Sequence, residues 1–207
     1  MKKNNKKSPN FEIETNLGGT IVGIDEAGRG PLAGPVVSAA VILDSQSIPK
    51  GINDSKKISP KNRINLYEQI ISSSTFAIGI ANTEEIDKLN ILNATMLSMK
   101  RAYNNIVMIS HNKPSFALID GNKKPKISCK TKTIIRGDSI SLSIAAASII
   151  AKVSRDKMMF KEAEKYPNYN FDKNLGYGTK NHLLALTLFG KCIIHRNSFR
   201  PIRSIIQ

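Results

Sequence analysis

Tryptophan is absent from the 207-residue chain, and aromatic residues make up only 6% of it. So sparse a set argues against an aromatic-lined site for carbohydrate or choline. Cysteine occurs twice, as Cys129 and Cys192, too few for a disulfide framework and without the CxxC spacing of a metal pair. Both are expected to be ordinary thiols in a reducing compartment. Long hydrophobic runs are missing as well. Gly30 to Leu43 and Ile140 to Ala151 are the longest weakly polar stretches, and both fall short of the ~18 residues needed to cross a bilayer. The opening MKKNNKKSPN has lysines with no apolar segment behind them, so no secretory signal and a cytoplasmic location are expected.

Acids are the last scarcity. Sixteen Asp and Glu stand against 31 Lys and Arg, a net charge of +15. That excess points to a polyanionic partner, most often nucleic acid, with solubility alone as the plain alternative. What is present is enough for a core. The 41% hydrophobic content argues against a disordered chain, and the length suits one domain with a small appendage.

Residues 1–16 read as a flexible, Lys/Asn-rich basic tail. Residues 17–165 alternate strand-like and helix-like segments, and 166–207 read as a helical extension packed on them. Thr20 to Asp25 and Val36 to Leu43 are Val/Ile-rich strands separated by a Gly/Pro cluster. Ser59-Pro60 starts a helix carrying Ile64, Leu66, Tyr67, Ile70 and Ile71 on one stripe. A strand from Thr75 to Ile80 and a helix from Thr83 to about Asn105, with a break near Asn90, follow. Phe116 to Asp120 and Thr131 to Ile135 are further strands. A long helix runs from about Ile140 to Lys165, with a buried first half and an exposed, charged second half. Thr179 caps another helix that Gly190 ends. The fold class is α/β, a mixed central sheet flanked by helices.

Most acids have ordinary roles. Glu84, Glu85 and Asp87 suit the first turns of a helix, Glu12 and Glu14 belong to the tail, and Asp44, Asp54 and Asp172 fall in turns. Asp156 is expected to be structural, pairing with Arg155, Lys157 or another partner not evident from sequence. Four acids resist such readings. Asp25 and Glu26 end an apolar strand before a glycine-rich turn, Asp120 ends another before Gly121-Asn122, and Asp138 opens the buried helix. Carboxylates within ~4–6 Å raise one another's pKa unless a cation intervenes. Oxygen ligands without His or Cys pairs suit Mg²⁺ or Mn²⁺ rather than Zn²⁺. Acids set among lysines suggest phosphodiester chemistry assisted by two ions ~3.5–4 Å apart. One difficulty is that adjacent strand residues face opposite ways, so Asp25 and Glu26 can share a site only where the strand ends.

Gly28 and Gly30 permit a close backbone approach, and with the Arg29 guanidinium their N–H groups could hold a sugar hydroxyl or phosphate oxygens. A tight turn alone is the simpler reading. The spacing is not GxGxxG, and no Walker-type GK[ST] occurs. Lys123, Lys124, Lys126, Lys130 and Lys132 follow Asp120 closely and are expected to meet phosphates without reading sequence. Packing roles are expected for His182 and His195.

The segment from Gly23 to Val37, which contains Asp25-Glu26-Ala27-Gly28-Arg29-Gly30-Pro31, closely resembles the opening motif of bacterial ribonuclease HII, a type 2 ribonuclease H. Asn53-Asp54-Ser55-Lys56-Lys57, Leu118-Ile119-Asp120-Gly121-Asn122 and Gly137-Asp138 match further signatures of that family. So do the run Ser143 to Val153, Gly176-Tyr177-Gly178-Thr179 and His195-Arg196 followed by Ser198-Phe199, all in order over about 180 residues. The resemblance implies an RNase H-like fold with a helical carboxy-terminal extension. It also implies an endonuclease for the RNA strand of RNA–DNA hybrids and for ribonucleotides embedded in duplex DNA. Asp25, Glu26, Asp120 and Asp138 match the catalytic, metal-binding carboxylates. Gly28, Arg29 and Gly30 match the segment that senses the 2′-hydroxyl at an RNA–DNA junction, and Tyr177 the ring that packs on the neighbouring deoxyribose. Lys56 is a candidate phosphate contact. Leu175 stands where the family usually has Lys, which puts one phosphate contact in doubt. Ribonuclease HIII carries a sizeable extra amino-terminal domain, and with so short a tail none is expected here. A monomer with no obligate protein partner is expected.

Two rivals remain at the level of sequence. A catalytically silent nucleic-acid binding protein of the same fold would gain from losing acids beside phosphate. A resolvase or transposase core would lack the Gly-Arg-Gly segment and Tyr177.

Overall fold

Strand alternation on β1 (Ile21–Ala27) and β2 (Val36–Leu43) decides how the rest of the chain is layered. The structure, a computed structural model, describes residues 8–205. Its single five-stranded sheet also contains β3 (Ser74–Ala81), β4 (Phe116–Asp120) and β5 (Lys130–Ile134), in the order β3-β2-β1-β4-β5. The β1–β2 and β2–β3 pairs are antiparallel, whereas β1–β4 and β4–β5 are parallel. Ala39 and Val41 pack on α2 (Pro60–Ser73) and α4 (Leu142–Lys165). The intervening Ala40, with Val22 and Ile24, packs against Met99, Ala102 and Ile106 of α3 (Thr83–Ile109) on the opposite face. Each fully buried Val or Ile contributes roughly 1.5–3 kcal/mol. The mixed sheet flanked by helices is as expected.

Local signals explain the helices. The Ser59 side chain accepts from Asn62 N–H, with Pro60 in the first turn of α2. Asn82 and Glu85 form a reciprocal capping box on α3, and Asn90 breaks that helix with φ 65°. The α4 helix lies close to β1 because residue 23 is glycine: a Cβ there would stand 2.2 Å from the Ser143 carbonyl carbon.

The structure corrects three expectations. The tail does not stay loose to residue 16, because α1 (Glu12–Leu17) is helical. Within it Glu14 is buried, and its carboxylate accepts from Ser141 Oγ and from the Ser143 N–H. It thereby satisfies a free N–H in the first turn of α4 and complements the positive end of the helix dipole. Residues 1–7 of the expected tail lie outside the described residues. Next, α4 starts at Leu142 with Ser141 as its cap, and Asp138 sits in a 3₁₀ turn, Gly137–Ser139, ahead of it. Last, the charged half of α4 is not wholly exposed: Ser154, Arg155 and Met159 are buried. The region after it, with α5 (Phe171–Asn174), α6 (Lys180–Phe189) and α7 (Arg200–Ile205), covers them. Tyr169, Phe171, Leu186 and Ile202 share a core with Leu32, Ala33 and Met159. His182 and His195 are buried there, their Nε2 atoms 3.0 Å apart.

Candidate active site

Register places the first two acids. Ile24 pairs with Ile119 across the parallel β1–β4 ladder, so Asp25 and Asp120 follow side by side at the carboxyl ends of neighbouring strands. Pairing of β1 with β4 stops at Ile24, yet β1 continues against β2 as far as Ala27. The strand therefore ends on one side only, and that suffices. Carboxylate oxygens of Asp25, Glu26 and Asp120 lie within 4.8 Å of one another. The Glu26 N–H donates to Asp25 Oδ1 at 2.6 Å, and the Gly137 N–H donates to Asp120 Oδ1 at 2.7 Å. That second bond ties β4 to the turn carrying Asp138, which lines the same cleft of about 600 Å³. Asp138 is not one of the three-acid group; Asp54 and Asp120 are its acidic neighbours.

The electrostatics of the group are unfavourable in isolation. Burial, then the charges of Glu26 and Asp120, holds the Asp25 carboxyl well above the usual range. Burial also raises Glu26, against the opposing pull of Arg29, whose Nη1 is 3.4 Å from Glu26 Oε1. Asp138 is raised by burial and by Asp54 and Asp120. Lys56 pulls the other way on both Glu26 and Asp138. Desolvated like charges with only partial compensation form a donor set that suits a hard divalent cation.

The other expected residues surround this group. Gly28, Arg29, Gly30, Lys56 and Tyr177 all line the cleft. Gly28 has φ 95°, and a Cβ on it would meet Arg155 Nε at 2.1 Å, so only glycine fits. A Cβ on Gly30 would touch only the Tyr177 ring, at 3.7 Å. Tyr177 is 43% exposed and faces the cleft. Leu175 packs its side chain into the carboxy-terminal core and presents no cation.

Several cleft residues escape sequence reasoning. Lys152 and Ser148, one turn apart on α4, line the cleft, as does Ser55, whose hydroxyl is 2.9 Å from that of Ser148. The i,i+4 spacing of Ser148 and Lys152, in the mostly apolar first half of the helix, is the signal that was available. Asp156 pairs with Lys152 at 2.7 Å, not with Arg155 or Lys157. Lys57 bridges Asp54, at 3.3 Å, and Ser139 Oγ, at 2.7 Å, linking two cleft loops. Lys123, Lys124, Lys126, Lys130 and Lys132 are exposed but do not line the cleft.

A mixed sheet with this strand order, carrying clustered carboxylates at the ends of adjacent parallel strands, is compatible with a metal-dependent hydrolase. The comparisons agree. The family model described as Ribonuclease HII matches residues 22–201. Ribonuclease HII of Wolbachia pipientis subsp. Culex pipiens is 53% identical over 198 residues, covering 95% of this chain and 98% of its own length. The crystal structure of ribonuclease H2 from Pyrococcus horikoshii superposes with a TM-score of 0.73 at 25% identity, covering 90% of this chain and 97% of that one. Bst-RNase HIII in complex with Mn²⁺ shares the fold, with a TM-score of 0.71 at 18% identity over 90% of this chain and 69% of that one. The chain belongs to the ribonuclease HII family, divalent-metal-dependent hydrolases acting on RNA–DNA hybrids.

Proposed function

We propose that the protein cuts the RNA strand of hybrids and also incises duplex DNA at embedded ribonucleotides, leaving 5′-phosphate and 3′-hydroxyl ends. The observation that carries this reading is the junction of two features in one cleft. Three carboxylates meet within 4.8 Å, and the Gly28–Arg29–Gly30 turn faces Tyr177 beside them.

Asp25, Glu26, Asp120 and Asp138 would hold the metal ions, Mg²⁺ or Mn²⁺ and two of them during catalysis. When bound, these ions supply an activated water and neutralise charge developing on the scissile phosphate. The protein's own part is to hold and orient. The Asp25 and Asp120 carboxylates are fixed by N–H donors from Glu26 and Gly137, so their oxygens are placed before substrate arrives. Arg29, Lys56 and Lys152 put positive charge around the acids, which lets a phosphate backbone approach them. Because water is the nucleophile, the 2′-hydroxyl is needed only for recognition. A hydroxyl is the one group that separates RNA from DNA at this point. The Gly28–Gly30 turn reads it, while Tyr177 packs on the following deoxyribose.

Asp25→Asn tests the assignment. Removing one ligand charge costs several kcal/mol of transition-state stabilisation, about 10³-fold in rate at ~1.4 kcal/mol per tenfold. Duplex affinity is expected to stay near that of the unaltered protein. Near-normal cleavage by Asp25→Asn would remove the basis of the proposal.

A further inference from the structure

Two arginines are buried where no carboxylate meets them. Arg155 on α4 and Arg196 after α6 are at most 1% exposed, and neither forms an ion pair among the described residues. All their hydrogen bonds go to backbone carbonyls. Arg196 Nη2 donates to Gly28 O at 2.6 Å and to Gly34 O at 2.7 Å, Nη1 to Arg29 O at 3.0 Å, and Nε to Gly34 O at 2.9 Å. Arg155 donates to the carbonyls of Pro35, Ala33 and Leu175, each at 3.0 Å. Burying an unpaired guanidinium is costly, and apolar side chains would fill the space with less penalty. What only a rigid planar fork can do is fix several acceptors in one frame.

The frame has a consequence for the cleft. In a trans peptide the C=O and the N–H of the next residue point in opposite directions, and the chain has no cis bond among the described residues. With the Gly28 and Arg29 carbonyls drawn onto Arg196, the N–H groups of Arg29 and Gly30 must point away from it, on the side where those residues line the cleft. Neither N–H has an acceptor among the described residues. Arg155 adds the second half, since Leu175 lies two residues before Tyr177.

We propose that Arg196 is the positioning residue of the junction sensor. Its guanidinium turns two successive peptide planes so that the Arg29 and Gly30 N–H groups are presented to the substrate's sugar–phosphate edge, and Arg155 holds the Tyr177 segment in the same frame. This rests on the reading of Gly28–Gly30 as the 2′-hydroxyl sensor. It also gives the carboxy-terminal region a role in specificity, with Arg196 touching neither substrate nor metal.

The test is Arg196→Lys, which keeps the charge and loses the fork. On a DNA duplex with one ribonucleotide, kcat/KM is expected to fall about 10²-fold, the scale of loss for a misplaced positioning group. Mn²⁺ affinity and binding to an all-DNA duplex stay unchanged, a combination that mere destabilisation does not produce in a variant folded at the assay temperature. Unchanged kcat/KM in the folded variant overturns the proposal, and so does an equal loss of Mn²⁺ affinity, which would place the effect at the acids. Should Arg196→Lys not fold, amide hydrogen exchange on the unaltered protein decides. Arg29 and Gly30 N–H exchange freely without substrate and become protected on the same duplex with Ca²⁺ replacing Mg²⁺; protection in the free protein overturns the proposal. If the unaltered enzyme shows no preference for a ribonucleotide, the sensor reading itself fails, whatever Arg196→Lys does.

Discussion

At the residue scale, the cleft depends on side chains whose cost is visible. Asp25 is a buried carboxylate beside two others, and Gly28 occupies a position that no other residue can fill without moving Arg155. Gly28→Ala combines a φ of 95° with a backbone contact to Pro35 O at 2.7 Å. It is expected to lose roughly 1–3 kcal/mol of stability and to lose cleavage of single-ribonucleotide duplexes more completely than metal binding, as read by urea unfolding and Mn²⁺ titration. The buried histidine pair makes a separate prediction. Burial, then the neighbouring His182, holds His195 down to about 4 from the ordinary 6.5. Between those values the unfolded chain takes up a proton that the folded one refuses, so stability is complete above pH 6.5 and is lost as pH falls toward 4. Each unit of pH in that window changes stability by up to ~1.4 kcal/mol for one proton. Thermal unfolding from pH 7.5 to 4.5 should show this fall, and His195→Gln should flatten it; equal slopes would contradict a lowered His195 pKa.

At the scale of elements, two close approaches set the layers. Gly23 lets α4 lie against β1, and a Cβ on Gly79 would stand 2.1 Å from Ser98 O of α3. Gly23→Ala must push α4 off the strand that carries Asp25, so about 1–3 kcal/mol of stability and much of the activity should go together. Gly79→Ala, on the other face, should cost similar stability with less effect on rate in the folded fraction. A denaturant series with parallel rate measurements separates the two. The strands are legible in sequence because Val/Ile runs bounded by Gly and Pro leave few alternatives, and Ser59-Pro60 and the acids Glu84 and Glu85 announce their helices. The acids at the ends of β1 and β4 are legible for the same reason, being polar residues where an apolar run stops. Arg155 and Arg196 are not. Among 31 Lys and Arg, nothing local marks a cation as buried, since its carbonyl partners lie up to 168 positions away. Glu14 escapes likewise, because its six-residue helix is too short to show a clear period and its partners, Ser141 and Ser143, lie far along the chain at the start of α4.

At the scale of the whole molecule, a charge of +15 surrounds a small cluster of acids. The exposed lysines after Asp120 are expected to attract a duplex without reading its sequence, so that binding weakens steeply with salt. Lys124→Ala is expected to lower the slope of log affinity against log salt by about 1 and to leave the product ends unchanged, as measured by fluorescence anisotropy and end-labelled gels. The same fold could in principle bind duplexes and cut nothing. The most direct discrimination is cleavage of three duplexes of one sequence, an RNA–DNA hybrid, a DNA duplex with one ribonucleotide and an all-DNA duplex, with and without Mg²⁺. The account predicts metal-dependent cutting of the first two, the second nicked at the ribonucleotide to leave 5′-phosphate and 3′-hydroxyl ends, and no cutting of the third. Binding without cleavage of either ribonucleotide-containing duplex in Mg²⁺ or Mn²⁺, or comparable cutting of all-DNA, would contradict it.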